Sequence, residues 1–237
     1  MNTNLSNECY NVKLNIKGYF PEWLKGTFVR NGPVDTFLNG ISNRHWFDGL
    51  SKLHAFTFKE EGVFYSSSFL KTDAYKAVKV DKTLNYTGFA VDPCRALFKS
   101  FFIHHLAPNA NVNVSKIQEA YVALTEIPLP IRFDLETTKT LGPFSFSDNL
   151  PTSGCWESAH PHILENESYS YLVDIGFTSR YVLTKRSNGS DKREVLKELS
   201  VKNPSYMHSF SVTENKIILS EYPLRLNPLT LMFRLKP

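Results

Sequence analysis

The stretch CWESAHPHILENESYSYLVDIG, residues 155–176, places two histidines around a proline, then a polar turn, then a β-branched and aromatic run. Alternation on either side of Glu165-Asn166-Glu167 reads as a hairpin. Residues two apart in an extended segment point to the same side, so His160 and His162 share a face. A third histidine, His208, stands in a comparable setting in SYMHSFSV, at the start of another predicted strand. Working outward, LHAFTFKEEGVFYSSSFL (53–70) reads as a hairpin across Glu60-Glu61-Gly62. SRYVLTKRSNGSDKREVLKEL (179–199) turns at Ser187-Asn188-Gly189-Ser190, and SYMHSFSVTENKIILSEYPL (205–224) at Thr213-Glu214-Asn215. EAYVALTEIPLPIRFDLETTKTLG (119–142) reads as a strand, a proline-punctuated bend and a second strand ending at Gly142. Short strands recurring with turn signals predict an all-β sandwich, barrel or propeller.

The chain has 237 residues, 42% of them apolar and 14% aromatic, enough for a sizeable core in one large or two small domains. A net charge of +4, spread along the chain, argues against nucleic acid. Cys9, Cys94 and Cys155 are odd in number and widely spaced, so neither a disulfide framework nor a zinc knuckle is expected. The start, MNTNLSNECYNVKL, shows no basic and apolar leader, and no apolar run reaches the roughly 20 residues of a membrane span. A reducing cytoplasm is the expected location. One stretch departs from the strand pattern: DPCRALFKSFFIHHLAP (92–108) predicts a short helix with Leu97, Phe98, Phe101 and Phe102 on an apolar stripe. That stripe either packs on a sheet or, rimmed by Arg95 and Lys99, rests on a membrane.

Neutral imidazole is a common ligand for iron, copper, nickel and zinc. His160, His162 and His208 therefore suggest an all-imidazole site without choosing the metal. The other reading is that each is an ordinary histidine satisfied by hydrogen bonds. No H-E-x-x-H pattern or cysteine ligand is present to decide.

A resemblance goes further. GYFPEWLKGTFVRNGP (18–33), HWFDGLSKLHAFTF (45–58), SSFLKTDAY (67–75), NVNVSKIQEAYVALTEIPLPIRFDLETTKTLG (111–142), SAHPHILEN (158–166) and PSYMHSFSVTEN (204–215) resemble, in order, successive blocks of the carotenoid cleavage oxygenases, including their retinoid isomerase branch. The resemblance implies a seven-bladed β-propeller whose axial Fe(II) is held by four histidines. It implies that His160 and His208 are the first two ligands and that His162 lies beside the site without ligating. Glu126 then matches the carboxylate that orients His208, since a carboxylate on an imidazole's remote N–H fixes its tautomer and raises its basicity. The implied reaction is oxidative cleavage of a conjugated double bond of a carotenoid or apocarotenoid by dioxygen, or, in one branch, isomerisation of a retinyl ester. The apolar run at 92–108 resembles the family's membrane-facing region, so a peripheral membrane contact is expected.

Family members run to about twice this length, and no histidine follows His208. Residues 1–237 thus resemble the amino-terminal part of a single, incomplete domain: about three blades and half of a metal shell. A chain of that kind is expected to be weak or inactive alone, or to pair with a complementary chain supplying the missing blades. A non-catalytic lipid-binding β module and an interaction scaffold without metal are the competing classes. Of the remaining residues, Arg30-Asn31-Gly32-Pro33 reads as a turn, and Trp46-Phe47-Asp48-Gly49 as a strand end and tight turn. Glu157 reads as a solvated carboxylate, and His104 and His105 as interfacial or solvated.

Overall fold

The structure is a computed structural model that describes residues 7–34, 37–38, 41–42, 45–82, 108–152, 154–176 and 178–227. The predicted helix at 92–108, with His104 and His105, lies outside the described residues apart from Pro108.

Strands dominate, as the alternation requires. In chain order the first are β1 (Cys9–Lys13), β2 (Gly26–Val34), β3 (Phe37–Leu38), β4 (Ile41–Ser42), β5 (Leu50–Lys59) and β6 (Gly62–Phe69). They form a four-stranded antiparallel sheet in the order β1-β6-β5-β2, with β3 and β4 as a separate small hairpin. A single helical turn, α1 (Asp73–Tyr75), follows, capped by the Thr72 hydroxyl accepting from the Tyr75 N–H, and continues into a π-turn at Lys76–Val80. The second sheet is a meander of β7 (Asn113–Ile117), β8 (Ala120–Leu124), β9 (Ile131–Phe133) and β10 (Thr140–Pro143). The third contains β11 (Cys155–Glu157), β12 (His162–Ile163), β13 (Glu167–Asp174), β14 (Ser179–Ser187) and β15 (Glu194–Val201). Its order is β11-β13-β14-β15, with β12 also pairing with β13. A last hairpin, β16 (Ser211–Val212) and β17 (Ile217–Ile218), is extended by a bridge between Ser205 and Arg225.

Consecutive sheets pack face to face. Leu53 and Leu70 of the first region bury against Ala123, Ile131 and Phe133 of the second. Val122 and Leu124 bury against Phe144 and Ala159, at the start of the third. On β13, period-two alternation splits the side chains: Tyr171 and Val173 pack against Met207 and Phe210, while Leu172 joins Cys155 and Val182 on the opposite face. Each fully buried Leu or Val in these layers contributes on the order of 1.5–3 kcal/mol.

Asparagines staple the junctions. Asn31 on β2 donates from Nδ2 to the Ala110 carbonyl at 2.5 Å, and its Oδ1 accepts from the Ser51 hydroxyl at 2.9 Å. Asn109 and Asn111 donate at 2.7 Å to the carbonyls of Gly49 and Phe47. Asn113 on β7 repeats the device one sheet on, donating to the Ala159 carbonyl at 2.9 Å. These bonds satisfy backbone carbonyls where no ladder strand reaches them.

Three readings of the sequence need correction. Arg30-Asn31-Gly32-Pro33 is not a turn but part of β2, where Pro33 pairs opposite Ser51. β2 is an edge strand, so the missing proline N–H leaves no ladder partner unmet. The segment 131–142 is two strands, β9 and β10, because Asp134 accepts from the Thr137 N–H and hydroxyl, both at 2.7 Å, and closes a turn between them. Glu157 is not solvated: its side chain is 12% exposed and pairs with Arg193 at 3.1 Å.

Candidate metal centre

His160 and His208 approach the same point from two segments that are not regular strands. His160 precedes β12 by two residues, and His208 lies in the bend before β16. Both stand just outside the strands that the sequence assigns them to, because Pro161 and the short reach of β16 end the ladders there. Even so, His160 Nε2 lies 2.9 Å from His208 Nε2, with the rings edge to face at a centroid distance of 4.5 Å.

Behind His208, Nδ1 lies 3.2 Å from Glu126 Oε1. An ionised carboxylate only accepts, so Nδ1 carries the proton and Nε2 presents a lone pair. Glu126, at the turn after β8, is itself held. The Tyr206 hydroxyl donates to Oε1 and the Thr125 hydroxyl to Oε2, both at 3.2 Å. Burial, reinforced by the neighbouring Glu126, pushes the Tyr206 phenol up, which keeps it a donor at any physiological pH. Tyr206 is braced in turn by Trp156, the two rings edge to face at a centroid distance of 5.8 Å. For His160, burial and then the adjacent His208 hold the imidazole below its usual value, against an opposing pull from Glu126. Its neutral form, the form that ligates, is therefore the stable one near neutrality. His208 is half exposed and Glu126 is 23% exposed, so one side of the pair is open.

His162 does not join the pair. Its Nε2 donates to the Phe210 carbonyl at 2.8 Å, and its ring meets that of Phe210 at 4.8 Å. It nevertheless faces the same segment as His160, as two-residue spacing requires.

The donor set fits a transition-metal ion. Two imidazole nitrogens 2.9 Å apart could both reach one ion through metal–nitrogen bonds of about 2.1 Å. Among the described residues no group of three or more metal-ligating side chains gathers, so the pair is at most part of a shell. No helix among the described residues is long and apolar enough to cross a membrane.

Antiparallel sheets stacked in sequence, with a carboxylate-backed histidine pair at the edge of the third, define the class: an all-β protein with an imidazole centre between consecutive sheets. The chain matches the family described as retinal pigment epithelial membrane protein, RPE65, over residues 2–237, and it belongs to that family. It is 33% identical to the carotenoid cleavage dioxygenase 8, chloroplastic, of Arabidopsis thaliana, over 94% of this chain and 42% of that protein. It is likewise 33% identical to the β,β-carotene 15,15'-dioxygenase of Gallus gallus, over 91% of this chain and 46% of that protein. Among solved structures, a variant of the Synechocystis apocarotenoid oxygenase superposes with a TM-score of 0.83 at 23% identity, covering 99% of this chain and 51% of that one. The cobalt-substituted form of the same oxygenase gives 0.73 at 24% identity, covering 88% and 45%. The chain thus spans about half the length of the relatives it matches.

Several contacts around the histidine pair were missed from sequence. Asn113, Thr125 and Tyr206 carry no motif of their own. Ser158 could have been found, since the two-residue rule that pairs His160 with His162 extends one step back to it.

Proposed function

We propose that this chain carries half of the metal shell of a non-haem Fe(II) dioxygenase that cleaves a conjugated double bond of carotenoids or apocarotenoids. The observation that carries the reading is the convergence of His160 Nε2 and His208 Nε2 at 2.9 Å with Glu126 behind His208. Held by these residues, an Fe(II) ion would supply the redox centre for cleavage of the double bond by dioxygen into two carbonyl products. The residues do the rest. His208 presents its Nε2 lone pair, and His160, which donates from Nε2 across the 2.9 Å between the rings, would shift that proton to Nδ1 before both nitrogens could ligate. Glu126 fixes the His208 tautomer and adds negative charge next to a shell of neutral ligands. Tyr206 and Thr125 keep that carboxylate oriented. The names of the Arabidopsis, Gallus and Synechocystis relatives support the carotenoid and apocarotenoid substrates, and the cobalt-substituted relative supports a metal centre. The apolar run at 92–108 fits a peripheral membrane contact from which such a substrate would partition.

Two imidazoles hold an ion weakly, because affinity rises with ligand count and a rigid surround. The lone chain should therefore bind Fe(II) or Co(II) detectably and turn over poorly. Adding a chain that carries the remaining blades and histidines should raise both. The test is metal titration by calorimetry and cobalt absorption on the chain and on His208→Ala, with product analysis on an apocarotenoid panel. Metal binding indistinguishable between the two proteins would remove the reading.

A further inference from the structure

The segment from Ser158 to His162 meets the segment from His208 to Phe210 through side chains alone. Backbone pairing between them is absent, as β12 pairs with β13 and β16 with β17. Three rungs join them instead. The buried Ser158 hydroxyl donates to the His208 carbonyl at 3.2 Å and accepts from the His160 N–H at 3.2 Å. His160 Nε2 meets His208 Nε2. His162 Nε2 donates to the Phe210 carbonyl at 2.8 Å. The rungs use every second residue on one side, 158, 160 and 162, and all three reach the same facing segment.

From this we infer that Ser158 and His162 are positioning residues: the two outer rungs of a side-chain ladder that sets the distance between the imidazoles of His160 and His208. The inference rests on the metal-centre reading for its purpose, though not for its geometry. One hydroxyl touching both the backbone N–H of His160 and the carbonyl of His208 couples the two histidine backbones directly. Without it, the His162 rung is the one side-chain-to-backbone bond left between the two segments. Without either, no side-chain-to-backbone bond ties the two segments directly, and the ring spacing is set indirectly through β13, which holds Ser158 and His162 by its backbone and Met207 by the Tyr171 hydroxyl.

The experiment compares the full chain with Ser158→Ala, Ser158→Thr, His162→Phe and the Ser158→Ala/His162→Phe double variant. Partners of this kind commonly change metal affinity 10–100-fold. Ser158→Ala and His162→Phe should each weaken Co(II) binding about tenfold and shift the cobalt d–d bands. The double variant should lose more than either but differ from the product of the two, because both act on one register. Ser158→Thr keeps the hydroxyl, and the adjoining cavity of about 50 Å³ has room for a methyl group, so its affinity and spectrum should return close to those of the parent. A metal-free readout separates this inference from the one beneath it. Ring-to-ring nuclear Overhauser contacts between His160 and His208 should be present in the metal-free parent and in Ser158→Thr, and weakened in Ser158→Ala. If the parent binds no metal but these contacts behave as stated, the ladder stands and the metal reading falls. If the contacts and the cobalt spectrum are the same in Ser158→Ala and His162→Phe as in the parent, the ladder is wrong.

Discussion

Removing the guanidinium of Arg193 should destabilise the protein more than any other single charge deletion among the described residues. Arg193, just before β15, is 3% exposed in its side chain and grips Asp148 with two parallel bonds, Nε–Oδ2 at 2.8 Å and Nη2–Oδ1 at 2.9 Å. It also reaches Glu157 at 3.1 Å and lies 4.0 Å over the Phe146 ring. The three groups link the segment after β10 to β11 and to the far side of the third sheet. Breaking a buried ion pair by deleting one partner costs about 3–5 kcal/mol, because the remaining charge is left desolvated. For a chain of this size that is a fall in Tm of roughly 6–20 °C. The pH dependence follows from the two carboxyls. Burial pushes Asp148 up, but bonds from Arg193 and the Leu150 N–H outweigh it and hold the group below its ordinary value. Its contribution is therefore complete above the ordinary carboxylate range and is lost as pH falls through the depressed value. Burial pushes Glu157 up despite Arg193, so its contribution runs the other way, present at low pH and lost as pH rises through the elevated value. In Arg193→Met, which keeps the stem over Phe146, both carboxyls lose their counter-charge and move up. The gap between parent and variant should then be widest at pH 7.5 and narrow toward pH 5, read by urea unfolding at both values. A cost below about 1 kcal/mol, or a gap that does not change with pH, would refute the claim that this network is desolvated.

Glu126→Gln keeps an oxygen for Tyr206 and His208 but loses the charge, and should weaken Co(II) binding about tenfold without lowering Tm, as calorimetry and melting will show. Gly49→Ala places a methyl 3.0 Å from Pro33 Cβ and 3.2 Å from the Trp46 carbonyl, and should cost about 1–3 kcal/mol of unfolding free energy. Burial pushes the Cys155 thiol up to about 12, so iodoacetamide at pH 8 should label it only after denaturation; labelling in the native protein would contradict its placement.

Much of this was legible in the sequence, for definable reasons. The hairpins at 53–70, 162–174 and 179–199 follow from period-two alternation closed by Glu, Asn and Gly turns, which are local signals. What escaped depends on tertiary context. Arg30-Asn31-Gly32-Pro33 has turn chemistry, yet it is held extended by nine paired positions between β2 and β5. Glu157 looks like any surface carboxylate until Arg193, 36 residues on, is brought to it. The asparagines at 109, 111 and 113 read as loop composition, but their amides replace a ladder between sheets, and nothing in their spacing reveals which carbonyls they reach.

The same distinction explains why the histidine pair was legible and its support was not. His160 and His162 could be assigned to one side because their relation is local, and His208 could be joined to them by its matching motif. The elements that fix the centre's geometry, Ser158 across to the His208 carbonyl, Tyr206 across to Glu126, and Asn113 across to Ala159, are each single bonds over 46 to 80 residues. A polar bond of that kind contributes only about 1 kcal/mol net, too little to dictate composition around it. Placed between two histidine-bearing segments that share no backbone ladder, such a bond still bears on where an imidazole points. Precision at the centre therefore resides in the residues least visible to sequence reading, and substitutions at Ser158 or Tyr206 should disturb geometry at the histidines well before they disturb the fold.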